Sequence, residues 1–329
     1  MMKMRKTKLA GTGSYLPEKV LTNADLEKMI DTSDEWISTR TGIKERRIVA
    51  QDQAASDLAY EASRKAMQAA QVKPEELDMI IVATITPDMI FPATACVLQE
   101  RLGAKGVAAF DLEAACSGFL YGISIGSQFI ATGMYDNILV VAAEALSKII
   151  DWKDRSTCVI FADGAGAVVL QPSLDNSGII SSYLGADGTG ADLVGVPAGG
   201  SRLPASQETV RNRQHYMKMR GNGLFKRAVK AMIQAIDISL EKGGLTYNEI
   251  DFFIPHQANI RIINPVAKRI GLDKDRVCIN LDQYGNMSAA SVAVALDQAV
   301  REGKIKKGDK VLLTCFGGGL TWASLVLEW

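Results

Sequence analysis

The chain of 329 residues has two histidines, five cysteines and no net charge, and each shortage narrows what it can do. Cys96, Cys116, Cys158, Cys278 and Cys315 are odd in number and form no C-x-x-C pair. That argues against a disulfide framework and a zinc site, and for a reducing, cytoplasmic compartment. With 37 basic and 37 acidic residues, no global field draws the chain to nucleic acid or to an anionic membrane. No apolar run approaches the ~20 residues that a membrane-spanning helix needs. The basic start (Lys3, Arg5, Lys6, Lys8) runs at once into Gly11, Gly13 and Pro17, not into the apolar run of a secretory signal. What the chain does have is core. Hydrophobic residues make up 47% and charged residues 22%, the profile of a globular protein of two ordinary domains or one large duplicated one.

The stretch Asp111 to Phe119 is the one around which the rest is arranged. Val107 to Leu112 reads as a short apolar strand, and Ser117 to Ala131 as a buried helix rich in small residues. Cys116 stands at the junction, where unsatisfied backbone N–H groups and the positive end of the helix macrodipole favour a thiolate. A thiolate there is a nucleophile; the alternative is a buried structural cysteine.

Along the chain, Lys8–Leu16 reads as an opening strand, Thr22–Ile30 as a helix, and Ser33 as the cap of a short helix carrying Trp36 and Arg40 on one face. Ala55–Ala70 and Thr94–Leu102 read as helices, and Asp78–Thr84 and Asn137–Ala143 as strands too apolar for a solvated face. Asp163-Gly164-Ala165-Gly166 is not a phosphate loop, because β-branched strand follows it where a helix is required. Ser173–Ser177 is a polar break and sets the expected division into residues 1–172 and 173–329. The second half repeats the first. Leu77-Asp78-Met79-Ile80-Ile81 matches Ile250-Asp251-Phe252-Phe253-Ile254, and Arg101-Leu102-Gly103 matches Arg269-Ile270-Gly271. The Cys116 turn then matches the Gly285-Asn286-Met287 turn. A pseudo-dyad would bring the two turns together beyond the carboxyl ends of strands, where open α/β sheets bind ligands. The expectation is a duplicated α/β fold with one site between its halves.

Of the two histidines, His215 lies in a polar basic stretch that reads as surface, whereas His256 follows a buried strand ending at Ile254. His256 is therefore the candidate base or ring N–H donor, or else a satisfied buried histidine. Asn286 offers a fixed side-chain amide; small residues after its turn equally suit close helix packing. Phe316-Gly317-Gly318-Gly319 separates two strand-like runs, and three consecutive glycines suggest a close backbone approach such as an oxyanion donor.

The blocks Ala115-Cys116-Ser117-Gly118-Phe119, Pro255-His256-Gln257-Ala258-Asn259, Gly285-Asn286-Met287-Ser288 and Phe316-Gly317-Gly318-Gly319 resemble, in order and spacing, those of β-ketoacyl-acyl-carrier-protein synthase III. The resemblance spans essentially the whole chain, and Met287 departs from it where the family usually has Thr. It implies the duplicated thiolase fold, layered α-β-α-β-α. Its catalytic set would be Cys116, His256 and Asn286, with backbone N–H groups of Cys116 and Gly319 as an oxyanion hole. Acetyl-CoA would acylate Cys116, and malonyl-acyl-carrier protein would then lose CO₂ and condense, with no metal or organic cofactor. The resemblance implies CoA contacts at Trp36, Arg40, Arg155 and Asn259, and an acyl pocket of Phe91, Met217, Met219 and Phe316. Arg261, Lys268 and Arg269 would receive the acidic carrier protein, with Lys226 and Arg227 as weaker candidates. It also implies a homodimer in which Phe91 of one subunit closes the other's acyl tunnel. The same chemistry on another primer in secondary metabolism, and a non-catalytic acyl-CoA or carrier-protein binding module, are the alternative expectations.

Overall fold

The computed structural model describes residues 4–175 and 177–329, Asn222 by its backbone alone. Lys3 of the basic start and Asn176 of the polar break lie outside the described residues. The first sheet runs in the order Thr7–Tyr15, Asp163–Pro172, Ile138–Ala145, Met79–Ala83, Ala108–Leu112. Met79–Ala83 is parallel to both its neighbours, and Asp163–Pro172 antiparallel to both of its own. The second sheet, Gly178–Ala186, Thr321–Glu328, Lys310–Gly317, Phe252–Pro255, repeats that order and those directions. Where Ala108–Leu112 stands in the first sheet, the second has a single parallel bridge from Phe253 to Val277.

Every residue of Met79–Ala83 and Ile138–Ala145 is buried, because helices cover both faces of the sheet. The strand alternation sorts side chains between layers. Ile81 and Ile254 face inward, with Phe119, Leu120 and Ile123 of the Gly118–Thr132 helix and Val292 and Leu296 of the Ala290–Arg301 helix. Ile80 and Val82 face outward under Leu58, Ala62 and Ala66 of the Ala55–Ala70 helix. Phe253 and Leu312 do the same under the Gly221–Gly243 and Ile260–Ile270 helices, through Met232, Ile236, Ile263 and Val266. The result is the layered α-β-α-β-α arrangement with two pseudo-dyad-related halves. A smaller cluster, with Leu26, Ile37, Ile150, Phe161 and Met217, caps one end.

Helices Ala55–Ala70 and Thr94–Leu102 have the expected bounds. The expected Thr22–Ile30 helix shrinks to Asn23–Glu27. Thr22 and Asp25 cap it reciprocally, and the Met29 and Ile30 N–H groups both return to the Leu26 carbonyl, closing it early. The repeat also needs a change of register at its centre. The inner helices begin at Gly118 and Ala290 and the left-handed residue before each is Ala115 and Ser288, so Cys116 and Asn286 do not hold the same step of the two turns.

Candidate active site

The turns before the two inner helices open on one cleft of about 1200 Å³. Cys116 lies in the Ala115–Ser117 turn, reached through Ala115 at φ 46. Ser288, at φ 49, marks the turn in the other half. Left-handed backbone at residues with a Cβ is strained, and persists only where the surroundings hold it. Here the holding groups are visible. The Thr321 hydroxyl donates to the Ala114 carbonyl at 2.7 Å, and the Glu113 carboxylate accepts from Ala115 N–H at 3.0 Å. Gly317 backs onto the turn so closely that a Cβ on it would meet Cys116 N at 2.6 Å. The glycine run therefore serves an approach to the backbone of Cys116 itself.

Burial acts against the expected ionisation of Cys116. The residue is half-buried, open only towards the cleft, and its sulfur lies deep enough that desolvation pushes the thiol up to about 12. The Ser288 hydroxyl pulls the other way, while the nearby Glu144 and Glu113 carboxylates add to the rise. Burial is the largest of these influences and favours the thiol.

His256 follows the Phe252–Pro255 strand, its N–H donating to the Thr314 carbonyl at 2.8 Å. Gln257 braces the loop through the Pro255 and Cys278 carbonyls and the Asn280 N–H. Burial pushes His256 down to about 4, so the imidazole is neutral at pH 7. Its Nδ1 is sealed from solvent without a hydrogen-bond partner.

Asn286 is fixed at both ends. Its N–H donates to the Ile160 carbonyl at 3.0 Å, its carbonyl accepts from Ala162 N–H at 2.9 Å, and its Oδ1 accepts from Ser288 N–H at 2.9 Å. With Oδ1 so engaged, the Nδ2 hydrogens are the groups left for a ligand. Gly285, at φ 66, lets the chain enter this turn against Ile160 and Arg46. Met287 lines none of the cleft. It is fully buried between the sheets, its sulfur 2.5 Å from where a Cβ on Gly164 would stand. The departure from Thr therefore alters packing behind the site and leaves the pocket wall unchanged.

At the mouth, Ser33 caps the Asp34–Thr41 helix and presents Trp36, with the Arg40 and Arg155 guanidinium carbons 4.7 and 4.6 Å from its ring centroid. Arg155 thus rests on the indole, leaving no gap for an aromatic base in this conformation, and it also donates to the Asp31 carbonyl at 2.8 Å. Asn259 lines the cleft while capping the Ile260–Ile270 helix, where its Oδ1 accepts from Arg261 N–H at 2.9 Å. Gly319, Met217, Met219, Phe316, Arg261 and Lys226 also line the cleft. Lys268 and Arg269 do not; both are exposed, Arg269 lying over the Tyr247 ring. Arg227 is also outside the lining, facing Asp187 at 4.0 Å. Phe91 points away, 84% exposed, while its neighbour Ile90 lines the cleft. His215 is engaged with the Thr209 hydroxyl at 2.8 Å. Among the described residues no cluster of three or more His, Cys, Asp or Glu side chains could hold a metal. No helix among them is long and apolar enough to cross a membrane.

Sequence reasoning passed over Glu144, Thr84 and Thr86. The signal available was a glutamate inside an otherwise apolar run, Ile138–Ala145, of which every residue is buried.

The family model described as 3-oxoacyl-[acyl-carrier-protein (ACP)] synthase III matches residues 110–188, and its C-terminal counterpart matches residues 240–329. β-Ketoacyl-[acyl-carrier-protein] synthase III of Caldanaerobacter subterraneus subsp. tengcongensis is 62% identical, over 98% of this chain and 97% of that one. The crystal structure of 3-oxoacyl-[acyl-carrier-protein] synthase III from Aquifex aeolicus VF5 superposes with a TM-score of 0.90 at 49% identity, covering 98% of this chain and 100% of that one. The priming β-ketosynthase of the R1128 polyketide pathway superposes at 0.92 with 36% identity, covering 100% and 97%. Fold and likeness together define the class, a condensing acyltransferase of the thiolase fold. Within that class the chain belongs to the β-ketoacyl-[acyl-carrier-protein] synthase III family, whose work is the initiating condensation of fatty-acid synthesis.

Proposed function

We propose that this protein condenses a short acyl-CoA, acetyl-CoA first among them, with malonyl-acyl-carrier protein to give acetoacetyl-acyl-carrier protein, CoA and CO₂. The observation that carries the reading is the convergence of Cys116, His256 and Asn286, from turns in both halves of the chain, on one cleft whose mouth holds Trp36 between two arginines. Attack of Cys116 on a thioester yields another thioester, so the acyl group stays activated and one hard step becomes two. The enolate left by decarboxylation is then met by two neutral donors, His256 Nε2–H and Asn286 Nδ2–H, and each such donor is worth ~10²–10³ in rate. Backbone N–H groups of Cys116 and Gly319 hold the second oxyanion. CoA enters past Trp36, where its base inserts between the indole and the Arg155 guanidinium, which lifts off the ring to admit it, and Arg40 faces its phosphates. Asn259 lies along the pantetheine. Met217, Met219 and Phe316 surround the acyl chain.

Several further assignments belong to this proposal. Residues 1–172 carry the nucleophile and residues 173–329 the two donors. Arg261, with Lys268 and Arg269 on the same helix, receives the acidic carrier protein. All five cysteines are free, which suits a cytoplasmic enzyme. Met89, Ile90 and Phe91 are 47%, 86% and 84% exposed on one loop. Exposed apolar side chains in a row suit a homodimer interface, with Phe91 reaching the other subunit's acyl tunnel. The likeness to the R1128 priming ketosynthase supports one second reading, the same chemistry on a different primer in secondary metabolism.

The test is incubation with acetyl-CoA radiolabelled in the acyl group. Label should appear on the wild-type protein and be lost in Cys116→Ser, and added malonyl-acyl-carrier protein should release CO₂. Stable label on another cysteine refutes the nucleophile, and binding without label or CO₂ release leaves a binding module instead. A panel of acyl-CoA primers separates the two enzymatic readings.

A further inference from the structure

Behind the cleft lies a charged side chain that the mechanism does not use. Arg46, in the Glu45–Ile48 strand, is fully buried. Its Nη1 donates to the Leu21 carbonyl at 3.1 Å and to Asn23 Oδ1 at 2.9 Å, and its Nη2 donates to Asn23 Oδ1 and to the Val159 carbonyl, both at 2.9 Å. All these acceptors are neutral, and Nε is buried without a partner. Burial lowers the guanidinium only to about 10, so it stays charged at neutral pH. A cation taken out of water with no carboxylate to meet it is costly. What it joins gives the reason for its place. On one side, the Val159 carbonyl opens the run Val159-Ile160-Phe161, which lines the cleft. The Ile160 carbonyl accepts from Asn286 N–H at 3.0 Å, and Phe161 pairs with Asn286 in a parallel bridge. The Arg46 stem also backs this turn, where a Cβ on Gly285 would meet the Arg46 Cβ at 3.2 Å. On the other side, Arg46 sets the sense of the Asn23 amide. With Oδ1 turned to the guanidinium, Nδ2 donates to Asp34 Oδ1 at 2.7 Å and to the Ile43 carbonyl at 2.8 Å. Asp34 is the first residue of the helix that presents Trp36 and Arg40.

We propose that Arg46 is a positioning residue that holds the Asn286 amide and the Trp36 helix in fixed relation across the cleft. The inference rests on the functional reading above, in which Asn286 meets the enolate and Trp36 meets CoA. Arg46 touches no substrate. It acts on the enolate donor through Val159–Phe161, and on the CoA mouth through Asn23 and Asp34. A planar fork can serve Asn23 and Val159 at once from separate nitrogens, whereas an ammonium is a compact point donor. The Cys116 turn is held by other groups, the Thr321 hydroxyl and the Glu113 carboxylate. Loosening Arg46 should therefore damage CoA binding and decarboxylation while sparing the chemical step of acylation.

The experiment uses the full-length protein and measures two reactions, single-turnover acylation of Cys116 by radiolabelled acetyl-CoA and CO₂ release from malonyl-acyl-carrier protein. Arg46→Lys should raise the acetyl-CoA concentration for half-maximal acylation about tenfold and slow CO₂ release about 10²-fold, with acylation at saturating acetyl-CoA within about twofold of wild type. Asn23→Asp separates the two branches. Its carboxylate still accepts from the guanidinium but can no longer donate to Asp34, so it should weaken acetyl-CoA alone and leave CO₂ release unchanged. A double-mutant cycle tests the route to the amide: in an Asn286→Ala background, Arg46→Lys should slow CO₂ release no further. If Arg46→Lys does not fold, Asn23→Ala, which removes the oxygen shared by both terminal nitrogens together with the donor to Asp34, is read in the same way. Equal loss of saturated acylation and CO₂ release, or an undiminished loss in the Asn286→Ala background, makes Arg46 a general brace and overturns the proposal. Wild type that takes no label on Cys116 and releases no CO₂ overturns the functional reading, and this inference with it.

Discussion

Gly317→Ala adds one methyl group and tests whether the hairpin positions Cys116. Its Cβ would stand 2.6 Å from Cys116 N and 3.0 Å from the Ala115 Cβ. Ordinary contact begins at 3.4 Å, so about 0.8 Å must be found between two backbones. Neither side gives readily: Ala115 is already left-handed, and Thr321 ties the turn to the hairpin strand at 2.7 Å. Overpacking of this kind costs about 1–3 kcal/mol. Misplacing a reacting group by about 1 Å can cost ~10² in rate. Single-turnover acylation should therefore slow about 10²-fold in Gly317→Ala, with unfolding monitored in parallel to separate the two effects. Gly188→Ala, at a glycine with nothing within 4 Å, is the control and should leave both unchanged. Acylation within threefold of wild type, with an unaltered melting temperature, would refute the reasoning.

Asn286→Ala should leave acylation of Cys116 intact and lower decarboxylation of malonyl-acyl-carrier protein ~10²–10³-fold, and loss of acylation would place the amide in the first half-reaction. Phe91→Thr should admit longer acyl-CoA primers while keeping acetyl activity, each added methylene shifting binding by about 1–3 kcal/mol. An unchanged primer profile, or an active monomer on sedimentation, would remove the ring from the partner's tunnel. His256 gives a pH signature in stability. Its folded pKa of about 4 lies below the ordinary 6.5, so the unfolded chain binds more protons between those values and stability rises with pH across that window. The advantage of wild type over His256→Gln should shrink as pH falls from 6.5 to 4, by an amount on the order of 3 kcal/mol at most. Glu144, raised to about 7, gives the opposite slope between 4.5 and 7, and it is common to both proteins and cancels in the difference. A pH-independent difference would mean that the imidazole is not desolvated.

Local pattern made much of this fold legible. The Ala55–Ala70 and Thr94–Leu102 helices have clear periodicity, and the repeat of Leu77–Ile81 in Ile250–Ile254 disclosed the duplication because both segments build equivalent central strands. The cleft residues at strand ends were legible for the same reason. What the sequence concealed depends on contacts between distant segments. The desolvation of Cys116 and the Glu144 carboxylate near it come from the packing of other elements, which no local rule reports. Met287 departs from the family's usual Thr beside Asn286, yet it is buried between the sheets and lines none of the cleft. Arg46 reads as a surface charge in Glu45-Arg46-Arg47, yet it is fully buried, donating to Asn23 Oδ1 and to the Leu21 and Val159 carbonyls.

The chain's two ends are lashed together. Thr12 and Ser14 of the opening strand donate to Asp297 of the last inner helix at 2.7 and 2.6 Å, and that same strand pairs with Asp163–Pro172. Contacts so distant in sequence form late, since loop closure must precede their reward. During synthesis, the turn that carries the thiol is therefore made long before the hairpin that braces it, and the helix behind it waits for the Ala289 turn it packs against. An incomplete chain has a cysteine but no active site. The first turnover of a newly made molecule thus reports that its final strand has docked, and a lesion at the carboxyl terminus should silence chemistry performed by a residue in the first half.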